Sequence, residues 1–510
     1  MARPRFTAVW ILALALGACS SAGLKEDILH PPQSGALPPA ESGLLAEVAN
    51  RIASEHGDEA SGFSIMDSSY QGLYWRLALI DSAVSSLDIQ TYLWYPDNSG
   101  LLILERAVLA AQRGVKVRLI VDDLILHGHD KLIANLEAQP NIEFGIFNPW
   151  SERGSLLERA GEMLAKMERL NTRMHDKLLI ADGRAAVVGG RNIGDHYFGL
   201  HEIYNFHDTD LLGIGHIGAQ ANAMFDKFWN SDWVVSAQNL TTEPAPELAA
   251  RQWQSIQHKN ATAAALSRFP RVPKDWSTEI RAHVPKLRIG LSQLVYDETA
   301  TEQIDQRLVS SMFNFFGIAR EELLIMNAYV IPSQRGIDFL RDLSDKGVDI
   351  RLLTNSLASH DVPAVNSHYE GWRDDFIRAG VELFEFRADP AIQSTVVDVE
   401  PVTAEFSGLH NKTAVADRRY VFIGSMNLDP RSARINTEMG AFVDSPALAE
   451  DMAAIIERNM AGENAWRVQL DAAGKPYWTN SEETRDRQPA RNGMQRLMNV
   501  IMKVGPKDQY

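Results

Sequence analysis

Two short stretches of this chain hold residues able to do chemistry. "HDKLLIAD" runs from His175 to Asp182 and "HNKTAVAD" from His410 to Asp417, so His-x-Lys-x4-Asp is written twice, 235 positions apart. Each opens a β-like run, and alternate residues of a strand face one side, so His175 projects with Lys177 and His410 with Lys412. Asp182 and Asp417 close their runs just before turns. The strands that follow, "AAVVGGRN" and "YVFIGSMN", end on Asn192 and Asn427, again 235 apart. One such motif alone reads as a surface strand with alternating polar residues. Two, each leading to glycine-rich text and an asparagine at the same spacing, mark a duplicated module.

Two His/Lys pairs brought together suit attack on a phosphodiester. One neutral imidazole can act as nucleophile and become a phosphohistidine. The other, protonated, can give a proton to the leaving alcohol and then activate the acceptor. Two lysines and two asparagine amides can hold the oxygens on which negative charge builds. This chemistry calls for no metal or cofactor: lysines are poor ligands, and no compact His/Cys/carboxylate cluster appears elsewhere in the text.

The elements that must position these residues repeat as well. "LDIQTYLWYPDNSGLLILERAVLAAQRGVKVRLIVDD" reads as strand, turn, helix, a stop at Gly114 and a buried strand. "LLIMNAYVIPSQRGIDFLRDLSDKGVDIRLLTN" repeats that order around Gly347. Each is a βαβ unit, which implies parallel strands under helices. Unit and motif recur in one order and phase, so the chain is read as an internal duplication.

At these residues the sequence resembles the phospholipase D superfamily, whose signature is the duplicated His-x-Lys-x4-Asp motif followed by Gly-Ser-x-Asn. The flanking "GGRNIGDHYFG", "VRLIVDD", "FIGSMNLDPRS" and "RINTEMG" resemble the bacterial cardiolipin synthases, particularly their C-type branch. The resemblance covers roughly residues 60 to 510. It implies two α/β/α sandwich domains about a pseudo-two-fold axis, with one active site at their interface. It also implies that His175 and His410 are nucleophile and acid/base, with His175 the nucleophile. Lys177, Lys412, Asn192 and Asn427 would bind phosphate, while Asp182 and Asp417 hold the site together. Asp210 in "HDTDLLGIG" and Glu438 in "NTEMGAFV" would orient the histidines. Gly190 stands where the second half has Ser425, so a hydroxyl contact to phosphate is expected on one side only.

The implied reaction is transfer of a phosphatidyl group, with phosphatidylglycerol as acceptor and a second phospholipid, such as phosphatidylethanolamine, as donor. Rival readings are a hydrolytic phospholipase D, a nuclease of the same superfamily and an inactive lipid-binding scaffold. A net charge of −16 over 510 residues argues against nucleic acid as a partner and against adsorption to anionic lipid through overall charge. Attachment to a membrane therefore needs another device. "MARPRFTAVWILALALGAC" has two arginines, an apolar run too short to span a bilayer, small residues and the single cysteine, Cys19. This resembles a bacterial lipobox, which implies removal of residues 1–18, lipid on Cys19 and an extracytoplasmic location. Ser20 points to the outer membrane under the sorting habit of Gram-negative lipoproteins.

The expected layout is a signal over 1–18, a Pro-rich tether over 19–60 and a first phospholipase D-like domain over 61–239. A connector over 240–284, a second domain over 285–460 and an extension over 461–510 follow. In the extension Met494, Leu497, Met498 and Ile501 form an apolar stripe at helical spacing, which ordinarily docks on its own protein and alternatively on a membrane. Tyr92, Trp94, Tyr95, Trp229 and Trp233 read as packing residues, and Asp122 and Asp123 as caps. His127 and His129 have no partner identifiable in the sequence.

Overall fold

The structure is a computed structural model that describes residues 35–126, 128–153, 161–163, 166–299 and 304–502. Cys19, the apolar segment before it and His127 lie outside the described residues. Among the described residues no helix is long and apolar enough to cross a membrane.

Each half is built on its βαβ unit. In the first, strand Ser86–Thr91 leads through helix Asn98–Gln112 to the parallel strand Lys116–Asp122. In the second, Glu322–Asn327 leads through Gln334–Asp345 to Asp349–Asn355. The helices start at matching caps, Asp97 accepting from Gly100 N and Ser333 from Gly336 N. They are followed by left-handed turns at Gly114 (φ 96°) and Gly347 (φ 94°), where a side chain would be strained.

Strand order is the same in both halves. The first runs Val234–Ser236, Ile142–Phe147, Lys116–Asp122, Ser86–Thr91, Leu178–Ala181, Ala185–Gly189, Asp210–Gly215, Ala60–Met66. The second runs Ala465–Leu470, Val381–Phe386, Asp349–Asn355, Glu322–Asn327, Lys412–Ala416, Tyr420–Gly424, Met439–Asp444, Arg288–Tyr296. Ala60–Met66 pairs antiparallel with Arg288–Tyr296, so the halves share one sheet, of 18 strands among the described residues. Helices His216–Trp229 and Pro446–Met460 pack over it, and one apolar core takes Phe228 and Trp229 from the first half with Leu448, Met452 and Ile456 from the second. This is the duplicated α/β architecture that the resemblance implies.

Residues 44–56 and 493–502 differ from expectation, and the connector holds a helix docked on the first half. Residues 44–56, expected within the tether, form helix Leu44–His56, because Leu45, Val48, Ala49 and Ile52 make a buried face against the first half. Within the connector, helix Pro246–Thr262 lies on the first half, with Ile256 buried and Asn260 Nδ2 donating to the Leu101 carbonyl at 3.2 Å. Helix Gly493–Met502 is the reverse of an ordinary docked helix. Gln495 and Asn499 are buried, while Met494, Leu497, Val500 and Ile501 are exposed. The polar side wins because it has specific partners: Gln495 Nε2 donates to the Leu357 carbonyl, and Asn499 bonds Asn366 at 2.7 Å and Glu370 at 2.9 Å.

Candidate active site

The halves meet so that each histidine is held by the other half. His175 N donates to the Thr437 carbonyl at 3.0 Å, and the next residue, Glu438, reaches His175 Nδ1 at 2.9 Å through Oε2. His410 N donates to the His207 carbonyl at 2.8 Å, and the next residue, Asp208, reaches His410 Nδ1 at 2.7 Å through Oδ2. The second crossing is extended by a parallel pairing of Tyr204–His207 with Phe406–Leu409. The residue before each histidine is fixed from the end of the crossover strand. Asp122 accepts from Met174 N at 3.0 Å, and Asn355 both accepts from Leu409 N at 2.9 Å and donates to its carbonyl at 2.7 Å. Asp122 is thus more than a cap, a role that sequence reasoning missed.

One expectation is corrected here: Asp208, not Asp210, stands behind His410. Asp210 is fully buried in an ion pair with Arg76 (2.7 Å) and Arg191 (3.1 Å). Sheet register explains the displacement. Gly189 opposes Asp210 and Gly424 opposes Gly440, so the residue matching Glu438, two places earlier, is Asp208. Arg191 likewise matches Met426, so the first half carries a buried charge pair where the second is apolar.

The remaining residues sort by what they touch. Asp182, in the left-handed region at φ 57°, accepts from Val84, Ser85 and Ser86 N at 2.7–3.2 Å. Asp417, at φ 50°, accepts from Arg320, Glu321 and Glu322 N at 2.8–3.0 Å. Both tie the far end of the motif strand to the start of its neighbour and lie a strand's length from the histidines. Lys177 and Lys412 are buried and donate to the carbonyls of His175 and His410. Asn192 is occupied, accepting from Leu93 N at 3.2 Å and donating to the Tyr197 hydroxyl at 2.8 Å, whereas the buried Asn427 Oδ1 has no partner among the described residues. Ser425 was expected to face phosphate. Its hydroxyl instead donates to Glu438 Oε2 and accepts from Met439 N. Gly190 has no side chain because a Cβ there would lie 2.5 Å from both Asp208 oxygens.

The description "Cardiolipin synthase, PLD-like domain" fits residues 77–229 and 312–460, one match on each half. Cardiolipin synthase C of Escherichia coli K12 is 32% identical over 473 residues, 91% of this chain and 98% of that protein. The major cardiolipin synthase ClsA of Bacillus subtilis is 24% identical over 80% of this chain and 70% of its own length. The chain belongs to the cardiolipin synthase family. It is a phospholipase D-type phosphatidyltransferase. The crystal structure of phosphatidylserine synthase from Haemophilus influenzae superposes with a TM-score of 0.54 at 13% identity, over 81% of this chain and 91% of that one, and so shares the fold.

In this family member the site is buried and crowded with positive charge, and both facts move its proton affinities. Burial, with the charges of Lys177 and Lys412, drives His175 well below the usual imidazole range. Burial and Lys412 lower His410 to about 4 against the pull of Asp208. Burial lowers Lys177 to about 7 and Lys412 to about 8. The two carboxyls diverge. Burial opposes ionisation of Asp208, but the hydrogen bond and charge of His410 hold it below the ordinary carboxylate range. Burial pushes Glu438 well above its ordinary range, and Lys177 and the Ser425 hydroxyl offset this only in part.

Aromatic rings line the pocket. Tyr92 meets His175 edge-on at 5.3 Å with Lys177 over its face, and Tyr197 meets His410 at 5.3 Å. Tyr329 meets His410 at 6.4 Å, stacks on His360 and donates its hydroxyl to Asp361 at 2.7 Å. Tyr92 therefore belongs to the site and not only to the packing. Trp94 and Tyr95 lie further out, Trp94 donating to the Gly100 carbonyl and Tyr95 against His196, while Trp229 is core and Trp233 stacks on Phe147. Among the described residues no group of three or more His, Cys, Asp or Glu is arranged to hold a metal ion.

Proposed function

We propose that this enzyme makes cardiolipin by moving a phosphatidyl group onto the terminal hydroxyl of phosphatidylglycerol, through a phosphohistidine on His175. The observation that carries this reading is the crosswise carboxyl on each histidine Nδ1, which leaves both Nε2 atoms for the reacting phosphorus and oxygen. The two imidazoles then divide the work by environment. His175, which resists protonation most strongly, keeps its lone pair for phosphorus. His410, backed by an ionised Asp208, is the better proton carrier once a phosphodiester anion has entered and favoured the imidazolium.

In the first step His175 Nε2 bonds phosphorus, the bond from phosphorus to the donor's head-group oxygen breaks, and His410 gives that oxygen its proton. In the second, His410 takes the proton of the acceptor hydroxyl, whose oxygen bonds phosphorus as the bond to His175 breaks. Lys177, Lys412 and the NH2 group of Asn427 are the donors this reading assigns to the phosphoryl oxygens. Water, at roughly tens of molar, competes for the intermediate, so transfer requires an acceptor hydroxyl held in place.

The donor in this reading is a second phospholipid such as phosphatidylethanolamine. In this reading the enzyme is anchored outside the cytoplasm, facing the periplasm or exterior, through lipid on Cys19, and "LGAC" after a short apolar run supports that anchor. Mass spectrometry of mixed vesicles tests the reaction: cardiolipin should rise as the donor loses its head group. Phosphatidic acid as the only product across several donor and acceptor mixtures would establish a hydrolase instead. Intact mass of membrane-extracted protein tests the anchor, which an unmodified Cys19 would rule out.

A further inference from the structure

Helix Gly493–Met502 turns its apolar side outward at the edge of the active site. Met494 is 66% exposed, Leu497 54%, Val500 60% and Ile501 54%, and at helical spacing they form one face. The opposite face, Gln495 and Asn499, is committed to the body of the protein by the bonds described above. The helix cannot roll to hide its apolar side without stranding those buried amides, and a buried polar group left unbonded is costly.

Its position is tied to the site through a short series of contacts. Just before the helix, the Arg491 guanidinium lies 3.6 Å from the centre of the Phe406 ring, which stacks on Tyr204. Gln495 bonds the Leu357 carbonyl, a few residues before His360 and Asp361, the pair that holds Tyr329 beside His410. Ile203, 52% exposed, is fastened to the same patch, its carbonyl accepting from Glu405 N at 2.9 Å.

Charge selects the occupant. The chain as a whole carries −16, yet over residues 491–502 its only charged residues are Arg491 and Arg496, both basic. An apolar face flanked by basic side chains fits the interface of an anionic bilayer. A second copy of so acidic a chain is a poorer match.

We propose that this helix lies in the headgroup region of an anionic lipid surface, with Met494, Leu497, Val500 and Ile501 inserted, and so sets the active-site mouth against the lipids it consumes. The inference rests on the reading of the enzyme as a phosphatidyltransferase acting on membrane lipids. It gives the helix a role separate from the anchor at Cys19: orientation of the site, not retention of the protein.

A fluorophore sensitive to its surroundings tests it directly. Cys19 is the chain's only cysteine, so the full chain carrying Cys19→Ser and Val500→Cys takes one label and no lipid. Its emission should shift to the blue on adding vesicles rich in phosphatidylglycerol, and not with phosphatidylcholine alone. Leu497→Glu with Ile501→Glu, in the Cys19→Ser chain, should weaken vesicle binding at least about 10-fold. Turnover of vesicle lipid should fall in parallel, while turnover of a soluble short-chain phosphodiester stays unchanged and reports an intact fold.

No shift with anionic vesicles, or an equal shift with phosphatidylcholine, overturns the proposal. So does emission already blue without vesicles, which would mean that another part of the chain or a second copy covers the face. The fluorescence needs no turnover. A shift without phosphatidyl transfer would leave the docking surface and remove the functional reading, and transfer without a shift would do the reverse.

Discussion

In the first half Gly190 leaves room for Asp208 to approach His410, and in the second Ser425 stands at the matching place and gives its hydroxyl to Glu438. The shorter carboxylate is kept ionised by the histidine it serves. The longer one is pushed toward its neutral form by burial. Behind them, Arg76 and Arg191 enclose Asp210 where the second half has Met426 and Gly440. A duplicated fold has thus kept its backbone plan and diverged at the positions facing the opposite half's histidine. The lesson is that two identical motifs need not be two identical catalysts. Their protonation is set by burial and by charges drawn from both halves.

Removing either histidine breaks the comparison most severely. His175→Ala and His410→Ala should each lose at least about 10²-fold in kcat, but differently. With a phosphodiester whose leaving group needs no proton, His410→Ala should still form the phosphoenzyme, and peptide-level mass analysis after acid-free quenching should place it on His175. Label on His410 in the His175→Ala variant would reverse the assignment.

The carboxyls should separate by a smaller factor. Asp208→Asn removes an ionised group from His410 and is expected to cost roughly 10- to 100-fold in kcat. Glu438→Gln replaces a group already held toward its neutral form and should cost several-fold less. Equal losses in steady-state kinetics would mean that both carboxyls work ionised.

Acidity gives a gentler contrast. Lys177 and Lys412 have affinities lowered to about 7 and about 8, so raising pH through that window removes positive charge from the free site. A charge-assisted hydrogen bond is worth about 1.5–3 kcal/mol, so kcat/KM should fall by roughly 10- to 100-fold from pH 6 to 9. A pH profile flat across that range would show that the lysines stay charged. The smallest effect concerns Ser425→Ala, which removes one hydroxyl from Glu438 and should lower thermal stability by about 1 kcal/mol. Calorimetry that finds no change would mean that the hydroxyl contact adds nothing.

Much of this was legible in the residues. The repeated motif and the βαβ units are local patterns, and both halves follow them. What sequence could not give was the crosswise wiring. Asp208 and Asp210 sit two apart with the same parity, and strand register, with the arginines that claim Asp210, decides between them. One available signal was the alignment of "HDTD" with "TEMG", which sets Asp208 against Glu438. Helix Leu44–His56 was hidden by Pro-rich text before it, although Leu45, Val48, Ala49 and Ile52 already carried its period. For Gly493–Met502 the stripe was visible but its direction was not, because direction depends on distant partners for Gln495 and Asn499.

The crossing of histidines and carboxyls also bears on when the enzyme becomes active. A growing chain that has produced only its first half holds His175 without Glu438, and Asp208 without His410. The second half, emerging alone, would be deficient in the mirror sense. No working site exists until the last third of the polypeptide has folded against the first. The shared sheet makes that docking part of folding and not a later encounter. A partly made chain, or a proteolytic fragment of either half, therefore lacks a complete site for phosphatidyl transfer.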